Sequence, residues 1–265
     1  MTILRPVIIL LLLVLNTSCK ERNTSNTATV IDSTTVTTTT LSKAQQIINK
    51  TILAHGGDLY QTAHYAFTFR DKQYQFKNDG SNYKYIKTYI KDNDTIQDIL
   101  TNTTFSRLLN NKAVTLTEKE IVDSSGAINS VIYFAMLPYK LNDPAVNASY
   151  IEATTIKNKD YAVIQITFNE AGGGQDFDDQ FYYWINKDTN KIDYLAYSYH
   201  VNEGGVRFRS AYNSRVIDGI TFQDYINYKA DVGTALQTLP KLYEADVLEK
   251  LSEIKTENII NLNKN

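Results

Sequence analysis

Tyr65, Phe67 and Phe69 occupy alternate positions, as do Tyr74 with Phe76 and Tyr83 with Tyr85, and Asp71-Lys72 and Asp79-Gly80 stand between the runs. A period of two broken by turn residues is the pattern of antiparallel strands with one buried face. Tyrosine is the outlier of the composition, with 19 Tyr beside 10 Phe and 1 Trp, and aromatic side chains fit a half-buried pleated surface. Further short strands are expected at residues 95–100, 105–109 and 113–116. The second half repeats the theme, with a strand at 161–168 and a meander of 180–185, 191–201, 206–217 and 220–230. Its turns fall at 187–190, at 202–205 and at Asp218-Gly219, a strong two-residue hairpin signal.

Two stretches read as helices instead. Ser42-Lys43-Ala44-Gln45 is a capping box, Ala44, Ile47, Ile48 and Ile52 follow on one helical face, and Gly56-Gly57 supplies the stop. Thr117-Glu118-Lys119-Glu120 is a second capping box, opening a helix that carries Ile121, Ile128, Val131, Ile132, Ala135 and Met136 before Pro138 ends it. Gly126 inside that run costs about 1 kcal/mol relative to Ala, which makes a break there an open alternative. Residues 240–245 suit a helical turn. In the tail, Tyr243, Val247, Leu251 and Ile254 have helical spacing and Ile254, Thr256, Ile260 and Leu262 alternate; a final strand is the preferred reading.

The N-terminus supplies an address. Arg5 precedes an apolar run from Val7 to Leu15, followed by Asn16-Thr17-Ser18-Cys19. Nine apolar residues are too few for a spanning helix, which needs about 20, and the pattern is that of an export signal. Cys19 is the only cysteine, so no intramolecular disulfide can form. The segment resembles a bacterial lipoprotein signal, which implies a lipidated Cys19 as the first mature residue; Leu15, Thr17 and Ser18 fit the pattern, while Asn16 stands where Leu is usual. Residues 1–18 are thus read as the signal and 19–40, rich in Thr, Ser and Asn without a periodic apolar face, as a disordered tether.

No Pro/Gly-rich linker or shift in composition divides the rest of the chain, so residues 41–265 are read as one α+β domain: a curled antiparallel half-barrel sheet with two or three helices packed on one side. Helix, meander, inserted helical segment and second meander behind a lipoprotein signal resemble the architecture of LolA-like lipid carriers. That resemblance implies a fold and, through it, a lipid-like ligand. The segments Tyr133-Phe134-Ala135-Met136-Leu137-Pro138-Tyr139, Gly173-Gly174-Gln175-Asp176-Phe177 and Gly204-Gly205-Val206-Arg207-Phe208-Arg209 are similar to those of uncharacterised Gram-negative lipoproteins of unknown function, a resemblance that implies no activity. The expected location is the outer membrane or cell envelope, with the membrane face left open.

The balance of 27 basic against 29 acidic side chains gives no electrostatic footprint for nucleic acid. Folding the meander on its turns places side chains by face. A loop at 202–205 sets His200 opposite Arg207 and Ser198 opposite Arg209; a turn at Asp218-Gly219 sets Asn213 opposite Asp224 and Arg215 opposite Phe222. One face then carries Tyr183, Tyr194, His200, Arg207, Arg209, Phe222 and Tyr228, with Asn213, Arg215 and Asp224. The other carries Trp184, Leu195, Tyr197, Tyr199, Phe208, Tyr212 and Tyr225. The first seven form the candidate ligand surface, with apolar walls and a few polar anchors. The alternative is a solvated face held by an exposed Arg215/Asp224 pair.

Catalysis has little support in the sequence. No Gly-x-Ser-x-Gly elbow is present, and a lipidated Cys19 cannot act as a nucleophile. His55, His64 and His200 are scattered, and Asp176, Asp178, Asp179, His200 and Glu203 lack a regular metal-ligand spacing. The expectation is a non-enzymatic lipoprotein without catalytic residues, metal or cofactor, attached to the membrane through Cys19 and binding a lipid-like or other apolar ligand. An envelope protein meeting a Tyr-rich surface is the second reading, and a hydrolase built on the His200 cluster is the third.

Overall fold

A computed structural model describes residues 41–171, 178–200 and 203–264. The signal, the tether and most of the glycine-rich loop, Asp176 included, lie outside the described residues.

Helix α1 (Lys43–His55) starts where expected, with the Ser42 hydroxyl accepting from the Gln45 amide. The Gln45 side chain does not complete the box. It donates instead to Asn49 and, at 2.6 Å, to Asn142. Six strands follow as a meander: β1 (His64–Phe69), β2 (Lys72–Asp79), β3 (Asn82–Lys91), β4 (Asp94–Thr101), β5 (Phe105–Leu109) and β6 (Lys112–Val114). Helix α2 (Glu118–Ala135) carries both halves of its capping box and runs through Gly126 without a break. A second meander comprises β7 (Val146–Ile156), β8 (Lys159–Phe168), β9 (Gln180–Asn186), β10 (Ile192–Tyr199), β11 (Gly205–Ile217) and β12 (Ile220–Ala230), followed by the short helix α3 (Leu239–Glu244). Strand β7 has no counterpart in the sequence reading, because its alternation is interrupted by a bulge between Tyr150 and Glu152.

The tail contains two strands, β13 (Glu249–Ile254) and β14 (Glu257–Asn261), and they belong to different sheets. One seven-stranded antiparallel sheet has the order β14-β1-β2-β3-β4-β5-β6, the other β13-β12-β11-β10-β9-β8-β7. Only Lys255-Thr256 separates β13 from β14, so the end of the chain pairs with both meanders and ties them together. The junction is polar and buried. Asp224 accepts from the Thr256 amide (3.0 Å), from Arg215 Nη2 (3.1 Å) and from Asn213 Nδ2 (2.7 Å), while Arg215 Nη2 also donates to the Thr256 carbonyl.

Three apolar layers result. Ile128 and Ile132 of α2 are fully buried against Tyr65, Phe76 and Tyr85 of the first sheet. Ala44, Ile48 and Ile52 of α1 pack on Ile164, Tyr183 and Leu195 of the second. The opposite face of the second sheet, with Tyr182, Trp184, Tyr194 and Phe208, is covered by Leu236, Leu239 and Tyr243 around α3. Both faces of this sheet are therefore dry over much of its area, which accounts for its near-continuous apolar strands.

His55 closes α1 inside the core. Its Nε2 accepts the Ile192 amide (3.3 Å), and burial, aided by Lys191, pushes its pKa down to about 3. The unfolded chain, with an ordinary histidine near pH 6.5, takes up a proton that the folded chain refuses. Stability is then complete above pH 6.5 and falls as pH drops through the window from 6.5 to about 3. Between pH 6.5 and 4.5 this one group should cost roughly 2 to 3 kcal/mol. His55→Gln keeps an acceptor for Ile192 without titrating, so the loss read by urea unfolding should be smaller in the variant by about that amount. Equal pH dependence in the two proteins would rule out a neutral buried His55.

Two register expectations are corrected. The connection from β10 to β11 pairs Tyr199 with Gly205, so Tyr197 faces Arg207 and Leu195 faces Arg209. The shift from the expected pairing is three residues, an odd number, and it reverses which β10 side chains share a face with the arginines. Gly205 allows this because the Tyr199 ring lies over it; a Cβ there would collide with the ring and its hydroxyl. At the other hairpin Arg215 does face Phe222, but a bulge between Tyr212 and Arg215 sets Tyr212 opposite Asp224. Asn213 takes the extra position with φ 47°, the left-handed conformation that one class of bulge uses.

Candidate functional site

The structure distributes the expected ligand surface among separate environments. Tyr183 is fully buried, and its hydroxyl lies 3.0 Å from that of Tyr133 on α2. Tyr194 and Tyr228 belong to the opposite face, beneath Tyr243. Phe222 joins the first sheet's core against Tyr65. Arg207 shares the Arg209 face but is turned to the hydroxyl of Tyr199 and the carbonyl of Val206. His200 is exposed beyond the end of β10, 3.3 Å from Asp178. Arg209 remains, together with Tyr197 and Tyr225, which the sequence pattern assigns to the other face.

These three residues line a cavity of about 290 Å³ between α2 and the junction of the two sheets. Its apolar walls come from Phe67 and Phe69 on β1, Val131, Phe134 and Ala135 on α2, Tyr225 on β12 and Ile254 on β13. A polar strip crosses one side, where Arg209, Asn227 and Ser252 are register partners on three adjacent strands. The α2 residues fit this role because positions 131, 134 and 135 follow the helical period beside buried Ile128 and Ile132. On β1, Phe67 and Phe69 share a face by strand alternation.

Arg209 is 7% exposed. Its guanidinium stacks 3.9 Å from the centroid of the Phe134 ring and donates from Nη2 to the Tyr197 hydroxyl at 2.8 Å. Among the described residues its buried Nε has no hydrogen-bond partner, nor has the Oδ1 of Asn227, itself 7% exposed. Among the described residues no carboxylate lies within 4 Å of the Arg209 nitrogens, whereas Arg107 and Arg215 each have one. Among the described residues that line the cavity are two arginines, Arg209 inside and the exposed Arg70, and neither Asp nor Glu. Buried cations are ordinarily paired, so the lining is unusual for a chain with two more acids than bases.

A larger groove of about 460 Å³ runs over the sheet junction. Its Arg215 and Asp224 are both engaged in holding Thr256, and the pair expected to be solvated is largely buried, with 25% and 5% of the side chains exposed. That groove is a consequence of the structural tie. The acidic cluster stands apart from both cavities: Asp178, Asp179 and His200 bring ligand atoms within 4.8 Å of one another, without Glu203. Asp178 and His200 of this cluster are exposed and Asp179 is buried.

Phe67, Phe69, Arg70, Phe134 and Asn227 are site residues that the sequence pattern does not single out. The helical segment around Phe134 stands out only for its resemblance to lipoproteins, and β1 only as a strand; their meeting depends on α2 crossing between the sheets, which no local pattern announces.

The fold is thus an α+β arrangement of two antiparallel sheets with a helix covering a small, positively lined cavity. The chain belongs to DUF6503, a family of unknown function, which it matches over residues 7–256. No curated protein matches it. Among solved structures it is similar to a LolA superfamily protein from Nitrosomonas europaea, with 13% identity and a TM-score of 0.46 over 83% of this chain and 93% of that one. It is also similar to a putative outer membrane lipoprotein-sorting protein domain from Vibrio parahaemolyticus, with 8% identity, a TM-score of 0.46 and coverage of 83% and 92%. A DUF1329 family protein from Desulfovibrio piger has 12% identity, a TM-score of 0.41 and coverage of 84% and 94%.

Proposed function

We propose that this chain is a lipid-anchored protein of the cell envelope that holds a lipid-like or other apolar ligand without transforming it, in the cavity beneath α2. The observation that carries the reading is the cavity itself, whose walls are Phe67, Phe69, Val131, Phe134, Tyr225 and Ile254. Small-molecule sites are typically concave, mostly apolar and equipped with a few fixed polar groups. Among the described residues no group lining the cavity is arranged as a nucleophile with an adjacent base, and the one histidine-carboxylate cluster, in which Asp178 and His200 are exposed and Asp179 is buried, lies outside its lining. Anchoring rests on the export pattern ending in Cys19, since none of the described helices is long and apolar enough to cross a membrane. The acyl chains added at that cysteine would supply lasting attachment, with residues 19–40 as the tether.

One preparation tests both parts. The Cys19→Ala protein should leave the membrane pellet for the soluble exported fraction, and native mass spectrometry of it should show a small apolar or amphipathic molecule in place. Firm retention in the pellet sinks the anchor. A protein that is empty, and stays empty when offered apolar ligands, sinks the cavity reading.

A further inference from the structure

We infer that the cavity is selective for a single-chain carboxylic acid, with the carboxylate held by Arg209 and the chain lying against the aromatic wall. This rests on the reading of the cavity as a ligand site and adds the chemical class.

The charge argument comes first. Arg209 is nine-tenths buried and has no acid within ion-pair distance among the described residues, and its Nε donates to nothing there. A buried charge without its counter-charge is costly, and a buried donor without an acceptor adds to that cost. Two other arginines with largely buried side chains are matched: Arg107 by Asp98 and Arg215 by Asp224. Tyr197 and Phe134 orient the guanidinium and supply a cation-π face, but neither neutralises it. An incoming oxyanion would, and its hydrogen bonds to a guanidinium are among the strongest available. Arg70, exposed at the lining, adds a second positive charge on the route in.

Size then limits the ligand. At roughly 30 Å³ for each water-sized group, a cavity of about 290 Å³ admits on the order of ten non-hydrogen atoms. That accommodates one medium-length chain with its head and excludes a two-chain phospholipid from lying inside. One buried guanidinium also matches one unit of charge, which suits a carboxylate better than a phosphate monoester at −1.5 to −2.

The probes are decanoate and 1-decanol, titrated calorimetrically into the mature protein, with phosphatidylglycerol vesicles as the two-chain alternative. Wild type should prefer decanoate over decanol by roughly tenfold or more, the range that a charged hydrogen-bonded pair provides. Arg209→Gln should abolish that preference while leaving decanol binding in place. Because Arg209→Gln removes a stacked side chain and could unfold the protein, Asn227→Asp is the second variant. It sets a carboxylate directly across from Arg209 in the register, and should suppress decanoate binding with decanol retained. Equal affinity of the wild type for decanoate and decanol overturns the assignment but leaves an apolar site standing. Binding of neither brings down the cavity reading as well. Stoichiometric extraction of phosphatidylglycerol from the vesicles overturns the single-chain limit.

Discussion

Asp224→Ala should destabilise the folded chain by about 3 kcal/mol, the lower end of the range for breaking a buried ion pair. The carboxylate is 5% exposed and serves three donors, one of them the backbone amide of Thr256 between β13 and β14. Its removal leaves that amide without an acceptor and Arg215 without a counter-charge; the guanidinium, a quarter exposed, recovers part of its hydration, hence the lower figure. Asp224→Asn retains one acceptor and should lose less, about 1 to 2 kcal/mol. The damage should also be local. Amides of β14 should exchange with solvent earlier than those of β2 and β3, because the tie between the sheets is what fails. Urea unfolding with hydrogen exchange measures both, and a loss below about 1 kcal/mol for Asp224→Ala would mean that the junction is effectively solvated.

The tie also marks where the sequence ceases to be legible. Each meander can be read strand by strand, because alternation and turn dipeptides are local signals: β5 falls where expected, and the Asp218-Gly219 hairpin pairs Arg215 with Phe222. The tail reads as a strand, but its division into one strand for each sheet at Lys255-Thr256 depends on partners 20 or more residues away in one case and nearly 200 in the other. Nothing in residues 249–261 encodes that choice except the fit of Thr256 to Asp224.

The candidate site is less legible than the fold, for a reason that can be stated in residues. Assigning Arg209 to a ligand surface needs only the sense that a cation among aromatics requires a partner. Assigning its neighbours needs the register of β10 on β11, and the pairing of Tyr199 with Gly205, three residues from the expected register, exchanges Tyr194 for Tyr197. A period of two is unforgiving here, since an odd slip sends the entire set to the opposite face. The bulge at Asn213 has a similar effect on Asp224. Phe67 and Phe69 lie some 140 residues from Arg209 in sequence, and their common cavity exists because α2 crosses between the sheets.

The position of α2 depends in turn on a second buried carboxylate, and Asp98→Ala should cost more than Asp224→Ala, about 3 to 5 kcal/mol. Asp98 has no exposed surface. It accepts from Lys87 Nζ at 2.8 Å and from Arg107 through both Nε and, at 2.9 Å, Nη2; that Nη2 also reaches Ser124 of α2 at 3.0 Å. Lys87, Asp98 and Arg107 are register partners on β3, β4 and β5, so one carboxylate is shared by two cations whose side chains are only 10% and 18% exposed. Without it they face each other across the missing carboxylate, and the Ser124 contact loses its anchor. Lys87→Met with Asp98→Leu and Arg107→Met should be less damaging than Asp98→Ala alone, because apolar replacement removes the charges together with their desolvation cost. Thermal unfolding of the single and triple variants checks the order. If the triple variant is the less stable of the two, the hydrogen bonds, more than charge compensation, hold α2 over the first sheet.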